Sequence, residues 1–322
     1  MWRYILRRSV QMVFILWALL TFMFFLFRLI PADPVSIIIS AELTEDAQAE
    51  LRREWGLDRP VSEQYALYLK NLMSGDLGIS FYHQEPVWDI LSEKLVNTLA
   101  LMLPATIIAV FIGVSLGMYF GWHRGTRVEG IGMLLPPIIR GIPVFWLGIL
   151  LLMAFSYKLK LFPNAGMHTL GFFPKTWIEA FFSTDFLRHL VLPLTCTAIS
   201  FLPESIMIMR SSILETRGED FLELVEAKGV KERTVKKHAM RNALLPVATW
   251  IFHMFGFAIT STVLIEVVFG WPGLGRALVT AVLNLDYAMA QAAFFLLSVL
   301  IVTLNFVNDL IYGFLDPRVV IR

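Results

Sequence analysis

ELVEAKGVKERTVKKHAMRNALLP (Glu223–Pro246) belongs to a dense block of mixed charge that stands between two runs of almost wholly apolar side chains. Charge at that density cannot lie in hydrocarbon, whereas apolar runs of about 20 residues are long enough to cross it. The block therefore reads as a loop in water between two membrane spans, and the fold question becomes where the other spans lie.

Composition agrees with a membrane bundle. The 322 residues are 57% hydrophobic and 16% charged, with mean hydropathy +0.67, against about 25% charged in an ordinary soluble domain. The formal net charge of +1 gives no global excess of the kind that draws nucleic acid, so no nucleic-acid partner is expected. Cys196 is the sole cysteine, which excludes an intrachain disulfide and leaves no Cys/His cluster for a metal. At the start, Arg3, Arg7 and Arg8 precede the uncharged stretch Ser9–Phe27. It is longer than the roughly 7–15 apolar residues of a cleavable leader and has no A-x-A exit, so a retained first span is expected.

Apolar windows recur at about 9–30, 98–121, 131–157, 187–209, 244–267 and 289–314, predicting an all-α integral membrane protein of six spans with both termini on one side. Arg124, Arg127, the cluster Lys228, Lys231, Arg233, Lys236, Lys237 and Arg241, and finally Arg318 and Arg322 share the face of the N-terminal arginines. The positive-inside rule makes that face cytoplasmic and the location a cytoplasmic (inner) membrane in contact with lipid. Lys158, Lys160 and Lys175 count against this assignment without reversing it. The chain divides into residues 1–96, a first span with a long extracytoplasmic loop, and 97–322, a five-helix core containing the charged loop at about 210–246. Within the first loop, TEDAQAELRREWGL (Thr44–Leu57) predicts a short amphipathic helix, with a capping threonine, early acids and a stopping glycine.

Small residues at every fourth position, Ala105, Ala109, Gly113, Gly117 and Gly121, form a stripe that lets another helix approach closely, placing this span at the packed centre. Pro104, Pro136, Pro137, Pro143, Pro193 and Pro203 fall within spans, where the missing backbone hydrogen bonds have to be replaced from neighbours or water. Among ionisable residues at membrane depth, Arg140 and Glu204 are candidates for a water-filled cavity or pore, with snorkelling to the interface as the alternative for Arg140. His253 is a third candidate, with a satisfied interior histidine the plainer reading. Asn305, Asn308 and Asp309 share a helix face and suggest a polar clamp between helices.

The charged loop itself keeps helical periodicity. Phe221, Leu222, Val225 and Gly229 give a narrow apolar face on a charged rod; Asp220, Glu223 and Glu226 crowd its first part and lysines its second. A glycine in a helix interior costs about 1 kcal/mol relative to alanine, so two short helices turning at Gly229 are expected, with the turn docked into a groove on a soluble partner. In GWPGLGR (Gly270–Arg276) glycines and a proline end the fifth span, and a short helix at the far mouth of the bundle follows. Trp271, Pro272 and Gly273 are gate candidates there, or else a structural turn. No G-x-x-x-x-G-K-[ST], HExxH or GxSxG pattern occurs, so no cofactor and no catalytic residue is assigned and the chain is not expected to be an enzyme. A self-contained secondary transporter is the competing class, disfavoured because no internal repeat and few mid-span carboxylates are evident.

These residues resemble a family. PADP (31–34), WGLDRPVSEQY (55–65), GDLGIS (75–80), PVFWLG (143–148), RSSILE (210–215), EAKG with RNALLP, EVVFGWPGLGR (266–276) and DPR (316–318) are similar, in this order, to the B-type permease subunit of ABC importers of the dipeptide, oligopeptide and nickel class. Ala32 stands where that pattern has glycine, and Leu224 and Val225 replace the two alanines of its E-A-A signature. The resemblance implies a heterodimeric pore shared with a second homologous permease, two cytoplasmic ATP-binding subunits or domains where ATP and Mg bind, and an extracytoplasmic binding protein that delivers peptide, with nickel chelates, glutathione or oligosaccharides as alternative cargo. By the same resemblance Asp220, Glu223, Glu226, Ala227, Lys228 and Gly229 belong to the loop that couples to the ATPase.

Overall fold

The structure, a computed structural model, describes residues 2–29 and 58–315, and among these every regular element is helical. The helices are α1 (Trp2–Leu29), α2 (Val61–Met73), α3 (Val87–Trp122), α4 (Arg127–Gly132), α5 (Leu135–Gly141), α6 (Val144–Leu151, continued by a π-helical turn Leu152–Lys158), α7 (Trp177–Phe182), α8 (Thr184–Thr216), α9 (Asp220–Ala227), α10 (Glu232–Val268), α11 (Leu274–Leu283) and α12 (Tyr287–Leu315). The helix expected at Thr44–Leu57 and the PADP and DPR motifs lie outside the described residues.

Among the described residues, four helices are long and apolar enough to cross a membrane: Tyr4–Leu29, Val87–Trp122, Thr184–Thr216 and Tyr287–Leu310. The window at 131–157 is a bent pair, Arg127–Gly141 and Val144–Lys158, meeting at 100°. Pro143 causes the break: its ring disfavours helical geometry at the preceding residue, and Ile142 is accordingly extended, with ψ 120°. Pro136 and Pro137 open α5, where a first-turn proline sacrifices no helical hydrogen bond, so they are not interior breaks. The window at 244–267 is part of α10, a 37-residue helix that begins in the charged loop and continues to Val268. Helix α3 begins at Val87, ahead of the apolar window at 98, so residues 96 and 97 both lie inside that helix.

Close packing of α3 on α8 forms the centre. A Cβ at Gly113 would sit 2.2 Å from Ser205 Cβ, one at Gly117 would sit 2.5 Å from the Ile206 carbonyl oxygen, and one at Gly121 would sit 2.9 Å from Ile213 Cβ. With Ala105 and Ala109 also buried, the small-residue ladder is the contact face that the sequence predicted. Around it, Met102, Phe201, Ile259, Leu274 and Ala290 join α3, α8, α10, α11 and α12 in one core. Peripheral α1 is tied to α12 by an Arg8–Asp309 ion pair at 3.1 Å and by the Tyr4 hydroxyl, which donates to the Asp309 carbonyl at 3.1 Å. Asn305 faces Gly256 of α10, whose added Cβ would lie 3.1 Å from its side-chain oxygen. Asp309 and Asn305 therefore lie at helix–helix contacts, as part of the expected clamp, whereas Asn308 Oδ1 is buried with no hydrogen-bond partner among the described residues.

Candidate functional site

At the end of the bundle that carries the basic loops, α9 and the start of α10 build a projecting turn. Helix α9 ends at Ala227, Lys228 caps it, and Gly229 takes φ +67°, a left-handed conformation that side chains rarely adopt, while its N–H donates to the Glu226 carbonyl at 2.9 Å. The turn at Gly229 is where the sequence put it. The second helix is not short, however. It runs unbroken from Glu232 to Val268, through Pro246, because nothing after Lys231 interrupts the helical pattern and a single interior proline is tolerated among packed neighbours.

The apolar face expected on this rod is divided. Leu222 is buried among Met209, Ile213, Val235, Ala239, Ala243 and Val247, with Val225 packed beside it. Phe221 and Leu224 point outward, the latter 64% exposed. One face thus fastens α9 to α8 and α10, and the other is presented. Asp220, Glu223, Glu226, Ala227, Lys228 and Gly229 are all exposed, so the six residues share one accessible surface around the turn.

Two junctions beneath the turn were not recognised in the sequence. Trp122, the last residue of α3, donates from its indole N–H to Glu232 Oε1 at 2.9 Å, and its carbonyl accepts from Arg217 at 3.0 Å. The guanidinium of Arg217 and the ammonium of Lys236 lie 4.9 and 5.3 Å from its ring centroid. The Glu232 carboxyl is held below the usual carboxylate range by hydrogen bonds from Lys236 and Trp122. One ring therefore joins the ends of α3 and α8 to the first turn of α10. Nearby, Glu129 of α4 is buried against Arg210 of α8, whose Nε donates to Oε1 at 2.9 Å, while Gly125 N–H donates to Oε2 at 2.6 Å. The T-R-V-E spacing, with Thr126 Oγ1 accepting from Glu129 N–H, was the available signal for the helix start; its arginine partner lies 81 residues away and has none.

Arg140 and Glu204, singled out separately, meet. Arg140 Nε lies 3.5 Å from Glu204 Oε1, with the side chains 66% and 34% exposed. The pair sits where α5 breaks away from α6, against the middle of α8. For His253 the structure gives the helix, α10, and the side chain lies outside the described residues.

At the opposite end, the GWPGLGR turn is built around a buried carboxylate. Glu266 accepts from Thr98 Oγ1 at 2.6 Å and from Arg276 N–H at 2.9 Å, and Thr98 in turn accepts from Leu274 N–H at 2.8 Å. Gly273 packs on that carboxylate so closely that a Cβ would lie 2.1 Å from Oε1. Trp271 is buried and donates to the Asn97 carbonyl at 2.9 Å, while Asn97 Nδ2 donates to the Pro272 carbonyl at 3.0 Å. The short helix expected after this turn is α11. A cleft of about 500 Å³, with Pro272, Gly273, Arg276, Glu85, Asp89 and Glu93 in its wall, opens beside it.

The architecture defines an all-helical integral membrane protein with a charged turn projecting from one end. Residues 109–321 match the family model for the binding-protein-dependent transport system inner membrane component, and residues 1–102 match the model of the N-terminal part of such membrane components. The chain belongs to this family, the permease components of ABC importers. It is 34% identical over 337 aligned residues to the dipeptide transport system permease protein DppB of Escherichia coli K12, with 99% of each chain covered. It is 32% identical over 319 residues to the oligopeptide transport system permease protein AppB of Bacillus subtilis, with 98% of each covered. A putative peptide permease protein of Brucella suis is 35% identical over 323 residues, with 99% of each covered.

Proposed function

We propose that this chain is one of two permease subunits forming the pore of an ATP-driven importer of di- and oligopeptides in the cytoplasmic membrane. An extracytoplasmic binding protein delivers the peptide, and two cytoplasmic ATP-binding subunits, where ATP and Mg bind, supply the energy. The observation that carries this reading is the accessible turn at Gly229, joined to α3, α8 and α10 in a chain that aligns over 98–99% of its length with peptide permeases. The basic end of the bundle, with the turn and both termini, is cytoplasmic, following the excess of Lys and Arg there.

In this mechanism ATP acts only through its different affinity for two states of the assembly. Closure of the ATPase pair displaces the turn formed by Asp220 to Gly229. Leu222, Val225 and the Trp122 junction pass that displacement to α8, α10 and α3, so the spans turn as a unit. The Trp271–Asn97 and Glu266–Thr98 contacts tie the far end of α10 to α3, and movement of this knot relative to the partner permease opens the outer mouth. Peptide is the cargo because the relatives matched end to end are peptide permeases by name.

The reading is tested by co-expressing the chain with the neighbouring permease and ATPase genes. Single cysteines at Ala227 and Lys228 should cross-link to the ATPase subunit, and peptide-loaded binding protein should stimulate ATP hydrolysis. Absence of cross-linking from either position in the assembled complex would sink the coupling assignment; stimulation without any peptide dependence would sink the cargo.

A further inference from the structure

Resting on the peptide-importer reading, we infer that the Arg140–Glu204 pair is a charge-reading station in the wall of the translocation pathway. Arg140 takes the carboxylate terminus of a zwitterionic peptide, and Glu204 takes its ammonium terminus. The two side chains meet at 3.5 Å, and among the described residues each has only the other as polar partner. A single contact through Nε leaves the terminal guanidinium nitrogens available to a second carboxylate, in the forked geometry that guanidinium offers.

Position argues that this pair faces water. Glu204 lies well inside α8, a 33-residue helix of membrane-crossing composition, and Arg140 lies at the 100° break between α5 and α6. Both are substantially exposed in the single chain. Charged groups at that depth are costly against lipid and are kept where they meet a cavity or a protein partner. Space is also left beside them: a Cβ at Gly141 would have no atom within 4 Å.

The pair does not stand alone. Glu204, Ser211 and Glu215 fall on one side of α8 at spacings of seven and four residues, and Ser211 and Glu215 are exposed. Ser211 and Glu215 line a crevice of about 320 Å³ with Met207, Ile208 and Pro246. Ser211 and Glu215 thus place polar groups on the same side of α8 as the pair, beyond the apolar Met207 and Ile208, toward the end of the bundle that carries the charged turn. An exposed ion pair is weakly held, so an arriving zwitterion can replace one contact with two.

The test uses the reconstituted full importer with trialanine, N-acetyl-trialanine and trialanine amide as probes. Each is supplied at concentrations that saturate its capture by the binding protein. Glu204→Gln should lower trialanine uptake about tenfold, as loss of one charge-assisted contact predicts, and leave the N-acetyl probe at its wild-type rate. Arg140→Gln should do the same with the amide as the insensitive probe. The swap R140E/E204R should remain defective, because it reverses the polarity the cargo meets. Three outcomes overturn the inference: equal loss for all probes with less assembled complex, which marks a bridge to the second permease; uptake of trialanine within twofold of wild type in both variants; or restoration by the swap. A wild-type complex that hydrolyses ATP yet takes up none of the probes removes the peptide reading and this inference with it.

Discussion

The indole N–H of Trp122 reaches the carboxylate of Glu232 at 2.9 Å, joining two residues 110 positions apart: the last of α3 and the first of α10. Since the turn at Gly229 lies only three residues before Glu232, this bond and the ring beneath it connect the turn to a span with which it has no covalent continuity. Helix α3 is also the one whose glycines interlock with α8, so the turn is connected to the packed centre through both helices.

Replacing Trp122 by Phe keeps a ring for Arg217 and Lys236 but removes the N–H. We expect the fold and complex to persist and the peptide uptake per ATP hydrolysed to fall severalfold, read from parallel uptake and hydrolysis assays. Glu232→Gln should act in the same direction. The Glu232 carboxyl is held below its ordinary range by Lys236 and Trp122; a depressed carboxyl contributes above its unfolded pKa and loses that contribution as pH falls through the folded one. The contribution of Glu232 should therefore persist from neutrality down to the ordinary carboxylate range and be lost only in stronger acid, read as the difference between wild type and Glu232→Gln across pH.

Gly229 should tolerate alanine structurally but at a local cost. A Cβ there meets nothing within 4 Å, so the penalty is that of the left-handed backbone, about 1–2 kcal/mol. The expected result is an assembled complex with fraying at the end of α9, seen as faster amide exchange at Ala227 to Gly229, and with weakened stimulation of ATP hydrolysis. Asn at the same position should recover much of both, because it adopts this conformation more readily.

Gly117 and Gly130 give opposite outcomes for one chemical change. At Gly117 a methyl group would be 2.5 Å from the Ile206 carbonyl oxygen and 2.8 Å from Met209 Cβ, forcing α3 and α8 apart at a cost of about 1–3 kcal/mol. At Gly130 nothing lies within 4 Å, and alanine in that helix should be neutral or stabilising by up to about 1 kcal/mol. Thermal unfolding in detergent distinguishes them: Gly117→Ala should melt lower than the parent, and Gly130→Ala should not.

Arg210→Ala strands the buried Glu129 carboxylate with only the Gly125 N–H. A loss of about 2 kcal/mol is expected from removal of a hydrogen bond to a charged group. Adding Glu129→Gln should return part of it, since no unpaired charge then remains buried. If the double variant is as unstable as the sum of the singles, the two residues are not coupled and the assignment is wrong.

Much of the bundle is legible in the sequence because hydrocarbon imposes a simple rule on length and polarity. The apolar windows that became α1, α3, α8 and α12, the small-residue face of α3, the turn at Gly229 and the short helix after Gly270 follow from local periodicity and from what glycine and proline permit. Two windows are read less well. Pro143 converts one into a 100° bend, and hydropathy registers neither the angle nor the continuity of α10 from the loop into the span.

What local pattern alone does not contain is which distant groups meet. Phe221 and Leu222 are neighbours of like hydrophobicity, yet one is presented and the other buried, because only α8 and α10 decide which side of α9 is covered. Arg140 and Glu204 each read as isolated charges until two helices bring them to 3.5 Å; Trp122 has no meaning without Glu232 and Arg217, nor Gly273 without the Glu266 carboxylate. Membrane insertion and the turns are dictated by free energies that depend on each short segment by itself, and so are written in the chain. Pairing across the bundle depends on how helices approach and rotate, a property of the whole packed assembly, and only the tertiary structure decides it.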